Sequence, residues 1–291
     1  MSFIKLLLTV ISILFWINSA HAEESIVYSR LTDGFWQLWK MDTNGENKKQ
    51  ITFSKEDKRN PFWIKRDNRL GYRTANGELR TIDDNGEQEK EILSQYKPMA
   101  NPDYAQSTHE LVFVRFHPAS VDVGDIWKAN LETQETVVLT KDAYLSFQPR
   151  IADNGERIVF VKLDDQREHQ LWVMNSDGTN AKQLTNGAGR RDLPDITSDG
   201  REIIFTSNHD GGDFDLFLMD LDTMSVKRLY GHPGMDASPR FSPDNKNVVF
   251  VSNVNDQKEI WTIDPTEGKV VQLTGDAPSI DPVWVNMGDE K

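Results

Sequence analysis

Residues 239–274 read PRFSPDNKNVVFVSNVNDQKEIWTIDPTEGKVVQLT and contain four short segments of β-strand character separated by turn sequences. The segments are PRF, VVFVS, EIWTID and KVVQLT. Proline is tolerated where a strand begins. Asp244 and Asn245 favour a tight turn after the first strand, because their side chains can bond nearby backbone and because they tolerate positive φ. Four short strands joined by turns are typical of one propeller blade.

The same pattern recurs along nearly the whole chain, and a proline opens each unit. These prolines are Pro61, Pro102, Pro149, Pro194, Pro239 and Pro282, at successive spacings of 41, 47, 45, 45 and 43 residues. In most units a turn with Asp, Asn or Gly follows, then an apolar strand, a strand with an aromatic after an aliphatic residue, and an apolar-ended fourth strand. A period of about 40 to 50 residues indicates four-stranded blades rather than most helical repeats.

The two ends of the chain predict how the ring closes. Residues 26–53 supply IVYSR, QLWKMD and KKQIT, which match the second, third and fourth strands of a unit without its first strand. Residues 282–285 are a first strand with nothing after it. Joined, they complete a sixth blade, and a closed ring leaves few exposed sheet edges. We therefore predict an all-β fold, a six-bladed propeller of four-stranded antiparallel blades, with residues 23–291 as one domain.

Residues 1–22 are interpreted as a secretory signal peptide. Lys5 precedes the apolar run at residues 6–17, and Ala20-His21-Ala22 places small residues around a cleavage point. An uncleaved membrane anchor is the alternative, although the run is short for a bilayer span. We expect a periplasmic chain that begins at Glu23 and has no membrane span. The sequence contains no cysteine, so disulfide bonds are excluded.

The charge balance limits the class of partner. The sequence has 46 acidic and 33 basic residues, a formal net charge of -13. Such a balance opposes binding to nucleic acids and anionic lipid surfaces, which need basic patches. We expect a monomer that binds a protein or peptide rather than nucleic acid.

The repeated elements carry a family resemblance. The elements P-x-F, S-x-D-G, I-x-F, an Ile/Leu-Trp strand, D-x-x-G and Q-L-T resemble the TolB-type propeller repeat (WD40-like, PD40) over residues 25–285. The resemblance implies a scaffold for protein interactions in the cell envelope. It also implies an α/β domain before the propeller, which we expect this chain to lack because the repeats begin close to Glu23.

In a propeller, the loops between second and third strands and the loops between consecutive blades open on one face, here called the mouth. The mouth loops are polar and mostly acidic. We predict that they bind an envelope protein or peptide. The candidate partner-binding residues are Asp57, Arg59, Asn60, Asn101, Gln148, Asp192, Asp236, Asp281 and Trp36.

Three of these aspartates are also candidate metal ligands. Asp192, Asp236 and Asp281 stand close to first-strand prolines and therefore near the ring axis. Convergent carboxylates could bind Ca²⁺. The alternative is that they cap turns in contact with solvent, since aspartate commonly serves turns. The closely spaced acids of residues 209–215 pose the same choice between calcium and a glycine turn.

Three histidines form a second candidate metal set. His117, His169 and His209 fall in equivalent loops of successive blades and could converge on a transition metal, as in propeller lyases that act on acidic sugars. Their different offsets within loops of different length also fit scattered surface histidines. A metal-dependent, lyase-like enzyme or a carbohydrate-binding propeller is therefore the alternative function. No G-x-S-x-G or H-E-x-x-H motif is present, and we assign no catalytic residue.

Aromatic residues divide into two groups. One group recurs at a single position of the third strand, which indicates packing between blades: Trp39, Trp127, Trp172, Phe217 and Trp261. Phe35, Trp36 and Phe116 lie instead in mouth loops, where they are candidates for contact with a partner.

Overall fold

The computed structural model describes residues 24–117, 120–141 and 144–286. Within these ranges, 24 strands form six four-stranded antiparallel sheets, and the remaining regular structure is two single-turn 3₁₀ helices, Lys65–Asp67 and Ser94–Tyr96. The predicted six-bladed propeller is confirmed. The predicted signal peptide lies outside the described residues. No helix in the described ranges has the length and apolar character needed to cross a membrane.

The strands follow one another blade by blade. The chain begins with β1 (Glu24–Thr32), β2 (Phe35–Asp42) and β3 (Lys49–Gln50). Blade 1 contains β4 (Lys58–Ile64), β5 (Arg69–Thr74), β6 (Leu79–Asp83) and β7 (Lys90–Ile92). Blade 2 contains β8 (Met99–Ala105), β9 (Glu110–His117), β10 (Ser120–Asn130) and β11 (Thr136–Val138). Blade 3 contains β12 (Ser146–Ile151), β13 (Arg157–Leu163), β14 (His169–Asn175) and β15 (Lys182–Gln183).

Blade 4 contains β16 (Arg191–Ile196), β17 (Glu202–Ser207), β18 (Asp215–Asp220) and β19 (Val226–Tyr230). Blade 5 contains β20 (Asp236–Phe241), β21 (Val248–Ser252), β22 (Glu259–Ile263) and β23 (Val270–Gln272). The last strand, β24 (Ser279–Asn286), joins β1, β2 and β3 in the closing blade, in the order β24-β1-β2-β3. Ile26 pairs with Trp284 and Val27 with Val283. The predicted closure by the C-terminal strand is confirmed.

The core lies between neighbouring blades. The second strand of every blade buries one aromatic side chain almost completely, namely Tyr28, Tyr72, Phe113, Phe160, Phe205 and Phe250. In five blades this residue pairs across the sheet with the recurring third-strand aromatic. In blade 1 it pairs with Arg80. Each buried aromatic of this kind stabilises the fold by about 1.5–3 kcal/mol.

The recurring Q-L-T ending is explained by a hydrogen bond to the third strand. In four blades the threonine hydroxyl accepts the backbone N–H of the first apolar residue of that strand. The pairs are Thr52 with Leu38 at 2.9 Å, Thr140 with Ile126 at 2.9 Å, Thr185 with Leu171 at 2.9 Å and Thr274 with Ile260 at 2.8 Å. In blade 4, Tyr230 stands at the corresponding position of KRLY.

The inner strands share a bulge that the sequence pattern did not predict. The residue before each first-strand proline has a left-handed φ, between 48° and 54°, and the strand register shifts there. These residues are Asn60, Asn101, Gln148, Leu193, Ser238 and Asp281. Non-glycine residues pay about 1–2 kcal/mol for this conformation. Bulges redirect the chain, and here they turn the residue after each proline toward the ring axis.

Candidate binding site at the propeller mouth

Charged residues cross the central channel beneath the mouth. Asp103, Arg150, Asp195 and Arg240 each follow a first-strand proline. Arg240 Nη2 lies 2.7 Å from Asp103 Oδ1, and Arg240 Nε lies 3.5 Å from Asp195 Oδ1. Arg240 belongs to blade 5 and Asp103 to blade 2, which face each other across a ring of six. The guanidinium of Arg240 therefore spans the channel.

Backbone hydrogen bonds complete this network. Asp103 Oδ2 accepts the Ile151 N–H at 3.0 Å, and Asp195 Oδ2 accepts the Phe241 N–H at 2.8 Å, each from the next blade. Burial disfavours the charged form of Arg240, but Asp195 and Asp103 outweigh it and raise its pKa. Burial raises the pKa of Asp195, while Arg240 opposes that shift. The bridge thus combines two contacts of the Arg240 guanidinium with two backbone N–H hydrogen bonds.

Arg150 is the fourth charged residue of the channel, and the charges of Arg240, Asp103 and Asp195 act on it. Burial lowers the pKa of Arg150 to about 10, and Arg240 adds to this effect. The Arg150 Nη1 atom donates to the Pro149 carbonyl at 3.0 Å. Arg150 and Arg240 both line a small mouth-side chamber of about 40 Å³, together with five of the six left-handed residues and four of the six first-strand prolines.

A larger chamber lies beyond Arg240, on the face opposite the mouth, and is here called the basal chamber. Its volume is about 220 Å³. Turns between first and second strands, including Gln106 and Ser242, line its entrance, and Arg240, Asp103 and Asp195 line its inner end. None of the site residues predicted from the sequence lines this chamber.

Five of the predicted partner-binding residues form one cluster at the mouth, here called the Trp36 cluster. Asp281 Oδ2 accepts Arg59 Nε at 2.6 Å and the Asn60 N–H at 3.1 Å. The Arg59 guanidinium lies 5.2 Å from the centre of the Trp36 ring. Asp57 Oδ1 accepts the Trp36 N–H at 2.9 Å. The closing blade and blade 1 therefore hold an aromatic ring, a guanidinium and two carboxylates in fixed contact.

Asp192 and Gln148 lie at the boundary of blades 3 and 4. Asp192 Oδ1 is 2.5 Å from His169 Nδ1, and its Oδ2 is 2.7 Å from Arg190 Nη2. Gln148 Oε1 accepts the Leu193 N–H at 2.6 Å. This side of the mouth is therefore also held by contacts between blades.

The three aspartates proposed as a calcium set each have their own partners. Asp281 is paired with Arg59, Asp192 with His169 and Arg190, and Asp236 Oδ2 accepts the His232 N–H at 3.0 Å. Asn101, the remaining predicted residue, lines the mouth-side chamber. Across residues 24–117, 120–141 and 144–286, no three histidine, aspartate or glutamate side chains form a group placed to hold a metal ion.

The three histidines have separate surroundings. His169 is bound to Asp192 and meets the Phe147 ring edge-on, with ring centres 5.2 Å apart. His209 Nδ1 is 2.9 Å from the Ser207 hydroxyl. His117 is exposed at the end of β9.

Stacked cations recur on the mouth side of three blades. Arg30 lies 4.5 Å from the Trp39 ring centre, Arg115 lies 5.4 Å from that of Trp127, and Lys162 lies 4.9 Å from that of Trp172. All three cations stand two residues after the buried aromatic of the second strand. This shared position of the three cations can be seen in the sequence when the repeats are aligned, but not from the number of acidic residues in the loops.

Comparison with known proteins agrees with this architecture. The sequence model of the TolB β-propeller domain family (PD40) matches residues 65–214. TolB from Acinetobacter baumannii superimposes with a TM-score of 0.78 and 18% identity, covering 91% of this chain and 67% of that one. A putative TolB from Agrobacterium tumefaciens gives 0.73 and 19%, covering 89% and 91%.

A third solved structure, an oligogalacturonate lyase in complex with manganese, gives a TM-score of 0.60 and 16% identity, covering 85% of this chain and 73% of that one. A search of curated proteins gave no match. The solved structures share the propeller fold with this chain, and the matching family model covers more than half of its sequence.

Proposed function

Because the chain belongs to the TolB β-propeller domain family, we propose that it is a periplasmic scaffold that binds an envelope protein or peptide at its mouth. The periplasmic location is supported by the signal-peptide pattern of residues 1–22. Fold alone does not fix a function, so the proposal rests on the mouth residues themselves.

The Trp36 cluster is the observation that carries the proposal. Binding hot spots in protein interfaces are enriched in tryptophan and arginine. Trp36 is partly exposed, and the side chain of Arg59, which contacts its ring, is 34% exposed. Asp281 holds the Arg59 guanidinium, which lies against the Trp36 ring, and Asp57 holds the Trp36 backbone, so little conformational freedom is lost when a partner binds.

The channel beneath the mouth supports the same role. The Arg240 bridge connects blades 2, 4 and 5, and each inner strand carries a bulge beside the axis. These features fix the backbone on which the mouth loops stand. Preorganisation of this kind lowers the entropic cost of association.

Affinity capture from native periplasm tests the proposal. The bait is the chain itself, compared with a variant carrying Trp36→Ala and Arg59→Ala. We expect the variant to lose the captured partner. Arg201→Ala is the matched control, because Arg201 lies in a turn on the opposite face with its side chain 73% exposed. Full retention of every partner by the double variant would refute the mouth as the binding site.

A metal-dependent enzyme is the second proposal. Asp192 bound to His169 Nδ1 is the arrangement that orients a metal-ligating histidine. The lyase with manganese has the same fold. Elemental analysis of purified protein before and after chelation tests this proposal. A stoichiometric metal that is lost from Asp192→Asn would support it, and protein without bound metal after growth in metal-supplemented medium would contradict it.

A further inference from the structure

Blade 4 lacks the threonine that, in four other blades, accepts a backbone N–H of the third strand. In blade 3 the Thr185 hydroxyl also lies 2.9 Å from Gln170 Oε1, the side chain just before Leu171. Blade 4 has Tyr230 in place of the threonine and Asp215 in place of Gln170. Asp215 therefore has no corresponding hydroxyl beside it.

Two buried carboxylates are left with unsatisfied oxygens here. Asp215 is 2% exposed; its Oδ2 lies 2.7 Å from Arg228 Nη2, but its Oδ1 has no hydrogen bond. Asp236 is fully buried; its Oδ1 has no hydrogen bond of good geometry, although the nearby Ser252 hydroxyl favours its charged form. Among buried side-chain atoms without a partner in the described part of the chain, these two are the only carboxylate oxygens. An ionised oxygen buried without a donor is costly, and both would gain from an external donor.

Asp215 lines a pocket between residues 208–214 and 231–235, here called the junction pocket, which has a volume of about 320 Å³. Asp210 and Asp213 line it as well. Asp213 Oδ2 accepts the Gly234 N–H at 3.0 Å, so the two loops are tied together. The pocket thus has a cluster of carboxylates, with Arg228 as the arginine in its wall.

Gly231 packs directly against the Asp215 carboxylate and the Arg228 guanidinium. A Cβ atom there would lie 2.3 Å from Asp215 Oδ1 and 2.1 Å from Arg228 Nη2. Any larger residue would have to displace one of these groups. The positions of Asp215 and Arg228 in the pocket wall therefore depend on glycine at position 231.

We propose that the junction pocket binds a lysine or arginine side chain of the protein partner. The inference rests on the proposed scaffold function and adds to it the chemistry of one contact. A cationic N–H group would satisfy the unpaired Asp215 oxygen with a charge-assisted hydrogen bond, which is stronger than a neutral one. Arg228 is already bound to Asp215, which favours a hydrogen-bonding cation at the remaining oxygen over a metal ion that needs several ligands.

Titration of the purified full chain with two short peptides tests the inference. The probes are acetyl-Gly-Arg-Gly-amide and its citrulline analogue, which keeps the shape of arginine but has no charge. We expect the arginine peptide to bind at least about tenfold more tightly, because hydrogen bonds to charged groups exceed neutral ones by this order. Equal affinities would overturn the inference, as would calcium displacing the arginine peptide from the pocket.

Two variants and one control locate the binding. We expect Asp215→Asn and Gly231→Ala each to weaken the arginine peptide by about tenfold or more. Asp222→Asn is the control, because Asp222 is exposed on a turn and does not line the pocket, so binding should be unchanged. Circular dichroism melting confirms that each variant is folded. Undiminished binding by folded Gly231→Ala would overturn the inference even if Asp215→Asn does not fold.

The two proposals fail separately. If Trp36→Ala with Arg59→Ala keeps every periplasmic partner while the arginine peptide still binds the junction pocket, the mouth proposal fails and the pocket remains. If partner capture depends on the Trp36 cluster but is unaffected by Gly231→Ala, the junction pocket is refuted as a partner contact.

Discussion

The channel and the junction pocket both bury aspartates, but the hydrogen bonding of these aspartates differs. In the channel, Asp103 and Asp195 share the Arg240 guanidinium and each accepts a backbone N–H. At the junction, Asp215 and Asp236 each keep one oxygen without a donor. A satisfied buried network holds a structure together, whereas an unsatisfied one costs free energy that a ligand can recover. The difference separates structural from binding aspartates in the same ring.

Removing the channel arginine should have the largest effect. Arg240→Met keeps an unbranched apolar stem but removes the guanidinium, which leaves Asp103 and Asp195 buried without their cation. Breaking a buried ion pair in this way costs about 3–5 kcal/mol of the free energy of unfolding. Denaturant unfolding measures the change, with exposed Arg201→Met as control. A loss as small as that of the control would show that the bridge is not needed for stability.

Removing the blade 3 hydroxyl should have a smaller effect and make blade 3 resemble blade 4. Thr185→Val leaves the Leu171 N–H and Gln170 Oε1 without the threonine hydroxyl. The expected loss in the free energy of unfolding is about 1–3 kcal/mol. Thr266→Val, on an exposed turn, should change stability by less than about 0.5 kcal/mol. Equal effects would mean that the repeated threonine bond contributes nothing.

The smallest expected effect is a pH dependence of the melting temperature caused by Asp236, at the start of blade 5. Burial raises the pKa of Asp236, and the charge of Asp215 acts in the same direction. The folded state therefore holds this proton more tightly than the unfolded state, and the stability gained at acidic pH is lost as the pH rises through the folded pKa. The melting temperature of Asp236→Asn relative to the unsubstituted chain should accordingly rise between acidic and neutral pH.

An exposed aspartate supplies the opposite control for this measurement. The Thr179 hydroxyl and backbone N–H lower the pKa of Asp177, so its contribution is present above its ordinary pKa and lost in acid. The relative melting temperature of Asp177→Asn should therefore fall between acidic and neutral pH. The same sign for both variants would contradict the assignment of Asp236 as an unsatisfied buried acid.

The repeat made the fold predictable from sequence. Prolines at regular intervals, alternating strands and two incomplete ends were enough to derive six blades and their closure. The bulge was not predictable, because residues as different as Leu193, Gln148 and Asp281 adopt the same left-handed conformation. The ring imposes that conformation, and no residue type marks it.

The site was only partly predictable. Arg59, Asn60 and Asp281 were predicted only as members of the mouth loops, and the structure adds that they contact one another. The Arg240–Asp103 contact joins residues 137 positions apart, and only the six-fold ring brings them together. Blade 4 has Tyr230 and Asp215 where blade 3 has Thr185 and Gln170, but only the three-dimensional structure shows that one Asp215 oxygen is left without a donor.

The guanidinium of Arg240 also determines how a peptide can approach the ring. The Arg240 side chain reaches from blade 5 to blade 2. It therefore lies between the mouth-side chamber and the basal chamber and separates them along the ring axis. A bound segment must enter and leave through the same opening. An internal loop of a partner is then as acceptable as a free chain end, and the two openings can be filled at the same time by different molecules.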